Sequence, residues 1–314
     1  MKILSIGNFT TGWDGSICDE EHIAGALEEL GHEVFRFQRE NVFAGNIPTP
    51  SDIKSADFIL VAQWDNYPED MIQNLKLFYD STEWEKDKEI PVIYWAFDYQ
   101  KEGQEWHERL VREADLYLSK RIADSKYPNW QWLAQDFAPK FLDKFPDPHS
   151  KLGGEIDVLF TGSYLDWAHE RNDTLKAVDE KFNLVIHSVN EWPGFKDVRP
   201  PIMDEGLPEL YAQAKVILSI DHTIEAGYWS DRPAQIMACG GFVLHRYQPL
   251  VSSVLRSYVG YFYDIPSCLL SLEHWLEADE DRRNLAEYGY EYAQRELKVK
   301  NRVEDLLNIV QGIL

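Results

Sequence analysis

One short stretch, residues 229–251, carries the residue types that could bind an anion. Its sequence, WSDRPAQIMACGGFVLHRYQPLV, predicts a polar loop, a short helix that ends at Gly240-Gly241 and a buried strand over residues 242–245. An apolar run over residues 215–220 predicts another strand before the loop. Because free N–H groups and the helix dipole attract negative charge, a strand, a polar loop and a helix in this order form a natural anion site.

Arg232 lies at the predicted start of that helix. Its guanidinium is a fixed positive charge with a planar fork of donors suited to phosphate. Such a contact would stabilise the charge that develops on a phosphate leaving group. The local pattern also fits an ordinary strand–helix connection with a surface arginine.

The length and composition of the chain limit its fold and its partners. A length of 314 residues allows two α/β domains of about 150 residues each. The formal net charge of −23 predicts a surface that repels nucleic acid and anionic lipid. No apolar run approaches the roughly 20 residues of a membrane span, and the opening MKILSIGNF resembles a first buried strand more than a secretory signal. Three widely spaced cysteines indicate a reducing compartment, so we expect a cytoplasmic protein of unknown oligomeric state.

Short apolar runs alternate with amphipathic segments along the chain, which predicts α/β domains with doubly wound parallel sheets. The predicted strands of the first half are residues 2–6, 33–37, 57–62, 91–96 and 116–119. A stretch rich in Pro and Gly over residues 137–154 predicts a linker, with the domain boundary near residue 150. We therefore expect domains over residues 1–150 and 151–296, followed by a terminal helix over residues 297–314.

Several ordered motifs over residues 155–305 resemble a known family. They are DVLFTGS (157–163), Arg171 with Leu175, LPELYAQAKVILSI (207–220), Arg232 before a helix ending in Ala-Cys-Gly-Gly, and RRNLAEYGYEYAQRE (282–296). This combination resembles the donor-binding region of group-1, GT4-like glycosyltransferases of the GT-B fold, and most closely the spore-maturation-type subfamily. The resemblance implies two Rossmann-like domains that face each other across a cleft. It also implies a C-terminal helix that crosses back to the N-terminal, acceptor-side domain.

Open parallel sheets bind ligands at the carboxyl ends of their strands, and the candidate residues lie in the loops predicted there. In the C-terminal, nucleotide-sugar-binding domain we expect donor contacts from Gly162, Ser163, Arg171, His222, Trp229, Ser230, Asp231 and Gln235. The N–H groups of Gly162 and Ser163 could hold the donor diphosphate, or Gly162 only permits a tight turn. Arg171 either contacts phosphate or pairs with Glu170 or Asp173 on a solvated face.

Aromatic and carboxylate side chains near strand ends suggest further contacts. Trp64, Trp95 and Trp229 could stack on a sugar or a base. Asp98 ends the predicted strand IYWAFDY, where its carboxylate could act as a base for the acceptor hydroxyl, or could be a turn residue. We predict Asp98 and Arg232 as the catalytic residues.

The loop after the first strand supplies the other acceptor-side candidates, Asn8, Gly12 and Asp14. This loop lacks the spacing G-x-G-x-x-G, so it is no dinucleotide fingerprint.

Position 235 departs from the family pattern. Many enzymes of this type carry the pattern Glu-x7-Glu, whereas this chain has Gly227 and Gln235 at those positions. An amide can still accept a hydrogen bond from a ribose hydroxyl, although without the charge.

The resemblance implies that the chain moves a sugar from a nucleoside diphosphate sugar to an acceptor hydroxyl on a glycan or small molecule. It further implies retention of the anomeric configuration. We expect no bound metal ion and no cofactor besides this co-substrate. A binding module without transfer activity and a sugar-nucleotide epimerase of the GT-B type are the alternatives.

Overall fold

The computed structural model describes residues 1–12, 16–44, 46, 48, 50–62, 90–97, 105–134, 137–139, 142 and 155–314. The chain forms two compact units, Met1–Gln135 with Val299–Leu314, and Asp136–Lys298. Each unit contains a six-stranded sheet in which all strand pairs are parallel, which confirms the predicted Rossmann-like α/β class. The predicted boundary near residue 150 lies outside the described residues.

The sheet of the first unit has the order β2-β1-β3-β4-β5-β6. Its strands are β1 (Lys2–Gly7), β2 (Glu33–Gln38), β3 (Phe58–Ala62), β4 (Val92–Trp95), β5 (Leu116–Ser119) and β6 (Trp130–Trp132). The helices that follow these strands are α1 (Asp19–Glu29), α2 (Arg39–Phe43), α3 (Pro50–Ser55) and α4 (Glu105–Glu113), with a 3-10 turn at Ile122–Lys126. The strand β3 is buried along its whole length, as expected of a central parallel strand covered on both faces.

The sheet of the second unit has the order β12-β11-β10-β7-β8-β9. Its strands are β7 (Ile156–Thr161), β8 (Leu184–His187), β9 (Val198–Arg199), β10 (Ala214–Ser219), β11 (Val243–Arg246) and β12 (Gly260–Phe262). Its helices are α5 (His169–Lys181), α6 (Leu207–Ala212), α7 (Arg232–Ala238), α8 (Val251–Val254), α9 (Ile265–Glu277) and α10 (Asp279–Glu296), with a 3-10 turn at Asp204–Gly206.

The direction of chain progression reverses between β7 and β10, which are neighbours in this sheet. From β7 the chain moves to β8 and β9 on one side, and from β10 to β11 and β12 on the other. A reversal of this kind opens a crevice at the carboxyl ends of the two strands, where α/β sheets bind ligands. The fold therefore brings the loops after Thr161 and Ser219 together at this switch point.

The predicted helix at Arg232 is α7, and its two final glycines have separate structural roles. Gly240 has a φ of 72°, a conformation that ends helices and favours glycine. A side-chain carbon at Gly241 would lie 2.6 Å from Ile217 Cδ1, so the missing side chain lets the end of α7 pack closely on β10.

The last helix, α11 (Val299–Gln311), belongs to the first unit and packs against α1. Val303, Leu306 and Val310 recur at helical spacing on its buried face. The resemblance implies a C-terminal helix that returns to the N-terminal domain, and α11 does belong to the first unit. Within the described residues, no helix combines the length and the hydropathy that crossing a bilayer requires.

Candidate functional site

Two guanidinium groups lie over the ring of Phe160, near the carboxyl end of β7. The guanidinium carbon of Arg232 is 5.2 Å from the ring centre, and that of Arg171 is 5.9 Å from it. Arg171 belongs to the first turn of α5, where the helix dipole disfavours a cation and favours an anion. The pair therefore forms a locally cationic site in a strongly acidic protein.

Arg232 is fixed by the main chain at the switch point. Its Nε donates a hydrogen bond to the Thr161 carbonyl at 2.9 Å, and its Nη1 lies 3.4 Å from the Ile220 carbonyl. Thr161 ends β7 and Ile220 follows β10, so one guanidinium spans both strand ends. Its Nη2 donates no hydrogen bond to any residue that the structure describes, which leaves this end available to a ligand.

Gly162 permits this arrangement by having no side chain. A Cβ atom there would lie 3.1 Å from Arg232 Nη2 and 3.2 Å from ring carbons of Phe160. The N–H of Gly162 donates to the His187 carbonyl at 3.0 Å, so the prediction that this N–H binds phosphate is wrong. Among the described residues the N–H of Ser163 has no hydrogen-bond acceptor, and its proposed phosphate contact stays a prediction.

Arg171 is buried, with 4% of its surface exposed. Its Nη2 donates to the Ser163 carbonyl at 2.7 Å, while its Nε finds no acceptor within the described part of the chain. Burial, and then the positive charge of Arg232, lower the pKa of Arg171 to about 10. A buried donor without an acceptor costs free energy, which a bound anion would recover.

The alternative that Arg171 pairs with Glu170 on a solvated face is wrong. Glu170 instead accepts a hydrogen bond from Arg246 Nε at 2.7 Å. Arg171 faces the interior and packs over the rings of Phe160 and Trp192.

Asp221, two residues after the end of β10, is a site residue that the sequence analysis missed. Its carboxylate is 95% buried, and Oδ1 accepts the Ser230 N–H at 3.0 Å. Burial alone would raise the pKa of Asp221, but the charges of His245 and Arg232 and the hydrogen bonds from Ser230 outweigh burial and lower it. The sequence does contain a signal for this residue, since Asp221 directly follows the predicted strand over residues 215–220 at the ligand-binding edge.

His222 lies between two aromatic rings in the loop after β10. Its ring centre is 5.1 Å from that of Trp167 and 5.3 Å from that of Tyr228, and its Nε2 is 3.2 Å from the Tyr228 hydroxyl. Trp167, which the sequence analysis missed, is 43% exposed in the loop between β7 and α5. His222 is therefore placed at the predicted edge of the sheet, beside an exposed indole.

The prediction that Trp229 stacks on a ligand is wrong, because its side chain is completely buried. Trp95 is also completely buried and offers no stacking face. Trp64 lies outside the described residues.

The remaining donor candidates lie together around the first turn of α7. Ser230 Oγ is 3.4 Å from Arg232 Nη1. Gln235 Nε2 donates a hydrogen bond to Asp231 Oδ2, so the amide is oriented by its neighbour one turn earlier. Ser230, Asp231 and Gln235 are each partly accessible.

Asn8 shapes its own loop in the first unit. Its Oδ1 accepts hydrogen bonds from the Thr10 N–H at 3.1 Å and from Gln38 Nε2 at 2.9 Å, and its Nδ2 donates to Cys18 Sγ at 2.9 Å. Because the residue is buried and its amide is already bonded, the prediction of an acceptor contact by Asn8 is wrong.

The other acceptor-side candidates are only partly described. The Gly12 N–H donates to the Ser16 carbonyl at 2.8 Å. Asp14 and Asp98 lie outside the described residues. Across the described ranges, no three His, Cys, Asp or Glu side chains cluster as ligands of a metal ion.

Residues 170–308 match a protein-family model described as glycosyl transferase-like. No curated protein matches the chain. Among solved structures, it is similar to sucrose-phosphate synthase from Thermosynechococcus elongatus, with 11% identity, a TM-score of 0.66, and coverage of 100% of this chain and 99% of that one.

Two further solved structures share the whole fold. One is an alpha-glucosyltransferase in complex with UDP and a mismatched 13-mer DNA, with 14% identity, a TM-score of 0.65 and 99% coverage of both chains. The other is HepE from Anabaena in complex with UDP and glucose, with 11% identity, a TM-score of 0.63 and 99% coverage of both chains. At these identities the similarity establishes the fold alone.

Proposed function

We propose that this chain, whose residues 170–308 belong to the glycosyl transferase-like family and whose two units have the GT-B fold, transfers a sugar from a nucleoside diphosphate sugar to an acceptor hydroxyl. The family match confirms the resemblance to GT-B glycosyltransferases that the ordered motifs indicated. The observation that carries the proposed activity is the pair of guanidinium groups, Arg171 and Arg232, above Phe160 at the switch point.

The chemistry of this pair suits a diphosphate leaving group. Negative charge grows on the diphosphate as the glycosidic bond breaks, and fixed donors in a site of low dielectric stabilise that charge without reorganisation. Arg232 Nη2 donates to no described residue, and the buried Arg171 Nε also lacks an acceptor among them. The Ser163 N–H, beside them, would add a main-chain donor.

Two finer features belong to the same proposal. The group-1 resemblance implies retention of the anomeric configuration at the transferred sugar. We expect transfer without a divalent ion, because the two arginines supply the positive charge that a metal ion supplies in other enzymes. Transfer should therefore persist in excess EDTA, and NMR of the first-formed product should show the donor's anomeric configuration.

A nucleotide-binding module without transfer activity is the second candidate. Gln235 supports it, since an amide bonded to Asp231 replaces the family's glutamate. Turnover separates the two candidates, because a binding module would bind a nucleotide and release no sugar.

The direct experiment is a thermal-unfolding panel with UDP, GDP, ADP, CDP and dTDP, followed by a hydrolysis assay with sugars linked to the nucleotide that binds. Uridine nucleotides come first, because HepE and the alpha-glucosyltransferase were each solved with UDP. A ligand at a hundred times its dissociation constant should stabilise the folded protein by about 2.7 kcal/mol. We expect one nucleotide to raise the melting temperature and its sugar derivative to be hydrolysed slowly.

An exposed arginine of the same unit gives the control. Arg283 lies on α10 and pairs with Asp279, so Arg283→Ala should leave the nucleotide shift unchanged. If none of the five nucleotides changes the melting temperature of the wild type, the donor site is assigned wrongly.

A further inference from the structure

Two buried side chains join the loop that carries the site to the segment after β11. The loop comprises residues 221–231 and connects β10 to α7; we call it the site loop. Asp221 Oδ2 accepts a hydrogen bond from Gln248 Nε2 at 2.8 Å. Asp221 is 5% exposed and Gln248 is fully buried, so water competes little for this bond.

The same two residues hold the site loop at several points. Asp221 Oδ1 accepts the Ser230 N–H at 3.0 Å, near the end of the loop, and Gln248 Oε1 accepts the Glu225 N–H at 3.1 Å, in its middle. The main chain adds one contact, from the Gly227 N–H to the Pro249 carbonyl at 3.1 Å. The bond between Asp221 and Gln248 therefore joins the two side chains that hold the middle and the end of the loop.

Arg232 depends on this loop for its position. Ser230 precedes Arg232 by two residues, and its Oγ lies 3.4 Å from Arg232 Nη1. If the Ser230 N–H lost its acceptor, the residue two positions before Arg232 would lose its hydrogen bond to the buried carboxylate of Asp221.

The charge of Asp221 does not explain its presence. The charge of its carboxylate acts to raise the pKa of Arg171 and that of His245, so both groups lie close to it. A negative charge so near the two arginines would weaken anion binding, since like charges repel most strongly where the dielectric is low. The hydrogen bonds of Asp221 to Ser230 and Gln248 explain better why an aspartate lies at this position.

We propose that Asp221 is a positioning residue, which holds Arg232 in place through its hydrogen bonds to Ser230 and Gln248 and not through its charge. This proposal rests on the proposed function, because the position of Arg232 matters only if a diphosphate binds there.

A swap of hydrogen-bonding groups tests the proposal. In Asp221→Asn, the new amide can still accept the Ser230 N–H, but its NH₂ group faces the NH₂ group of Gln248, and two donors cannot bond. In Gln248→Glu, two carboxylates face each other. In the double variant, the amide at 221 donates to the carboxylate at 248, which can still accept the Glu225 N–H. The bonds that join position 221 to position 248, Ser230 to position 221 and Glu225 to position 248 return, while the negative charge moves from position 221 to position 248. The long contact from Gln248 Nε2 to the Thr223 carbonyl, at 3.5 Å, does not return.

Two measurements follow the swap. The first is the dissociation constant of UDP by calorimetry, and the second is hydrogen exchange over residues 222–231 without ligand. We expect each single variant to bind UDP at least tenfold more weakly, which equals about 1.4 kcal/mol, and to exchange faster in the site loop. The double variant should return both values to within about threefold of the wild type, a margin of about 0.7 kcal/mol.

Either of two results overturns the proposal. Single variants with wild-type affinity and exchange would show that the link positions nothing. A double variant with wild-type exchange but weak UDP binding would show that the charge of Asp221 matters and not its hydrogen bonds. If the wild type binds no nucleotide, the proposed function fails, and hydrogen exchange alone then decides whether the link holds the site loop.

Discussion

The guanidinium groups of Arg171 and Arg232 share one aromatic ring, that of Phe160, and the charge of Arg232 contributes to lowering the pKa of Arg171. Burial is the larger cause of that lowering. Two like charges held together in a protein interior raise the free energy of the ligand-free state. The buried carboxylate of Asp221 offsets part of this cost, and a diphosphate bound beside the pair would offset more of it.

Replacing Arg171 should separate stability from binding. In Arg171→Met, an apolar chain of similar length replaces a buried cation whose Nε lacks an acceptor among the described residues. The change removes a buried charge close to Arg232 and an unbonded donor, and these gains should offset the loss of the hydrogen bond to the Ser163 carbonyl. We expect the free energy of unfolding in urea to stay within about 1 kcal/mol of the wild type or to rise, while UDP affinity falls at least tenfold. A large loss of stability together with unchanged affinity would mean that Arg171 is structural only.

Gly162 should tolerate no side chain. In Gly162→Ala the new Cβ would lie 3.1 Å from Arg232 Nη2, and the φ of 152° is one that alanine rarely adopts. We expect weaker UDP binding by calorimetry and a loss of stability of about 1–3 kcal/mol.

Gly25→Ala is the control for this change. Gly25 lies within α1, with no atom within 4 Å of an added Cβ, so alanine there should stabilise the protein by about 0.5–1 kcal/mol. If both alanine variants bind UDP as the wild type does, the close approach of Gly162 to Arg232 has no role in the site.

His245 should make the protein less stable in acid. It is fully buried, and burial lowers its pKa to about 4, although the charge of Asp221 acts in the opposite direction. The pKa of histidine in an unfolded chain is about 6.5, so below that pH the unfolded state binds a proton that the folded state does not. The contribution of His245 to the unfolding free energy is therefore fully present above pH 6.5. It falls as the pH is lowered towards 4, by at most about 3 kcal/mol.

Urea unfolding of the wild type and of His245→Gln at several pH values checks this prediction. The unfolding free energy of the wild type minus that of His245→Gln should fall as the pH is lowered from 6.5 to 4. Parallel curves over that range would show that His245 titrates alike in both states. His107 also has a pKa lowered to about 4 by burial, so the wild-type curve alone does not isolate His245.

Much of the fold could be predicted because it follows from local patterns. Apolar runs such as residues 57–62 and 215–220 became the central strands β3 and β10 within a residue or two. Because parallel strands all present their carboxyl ends at one edge, the sequence alone was enough to assign Arg171, His222 and Arg232 to that edge.

The failures concern residues whose surroundings come from distant parts of the chain. Asp221 is important because Gln248, 27 residues later, approaches it. Trp229 was expected to be accessible, but the path of the site loop buries it. The Gly162 N–H was assigned to phosphate although β8 supplies its acceptor, the carbonyl of His187. Sequence patterns predict which residues lie at the ligand-binding edge of the sheet, but they do not predict which distant residues contact them there.

The central claim is that Arg232 binds the diphosphate, and calorimetry of UDP with Arg232→Ala and Arg232→Lys tests it most directly. Lysine retains the charge but loses the planar fork, so its variant should bind with intermediate affinity. We predict that Arg232→Ala, folded like the wild type, binds UDP at least a hundredfold more weakly, a change of about 2.7 kcal/mol, while Arg283→Ala is unaffected. A folded Arg232→Ala variant whose affinity stays within twofold of the wild type would contradict the claim.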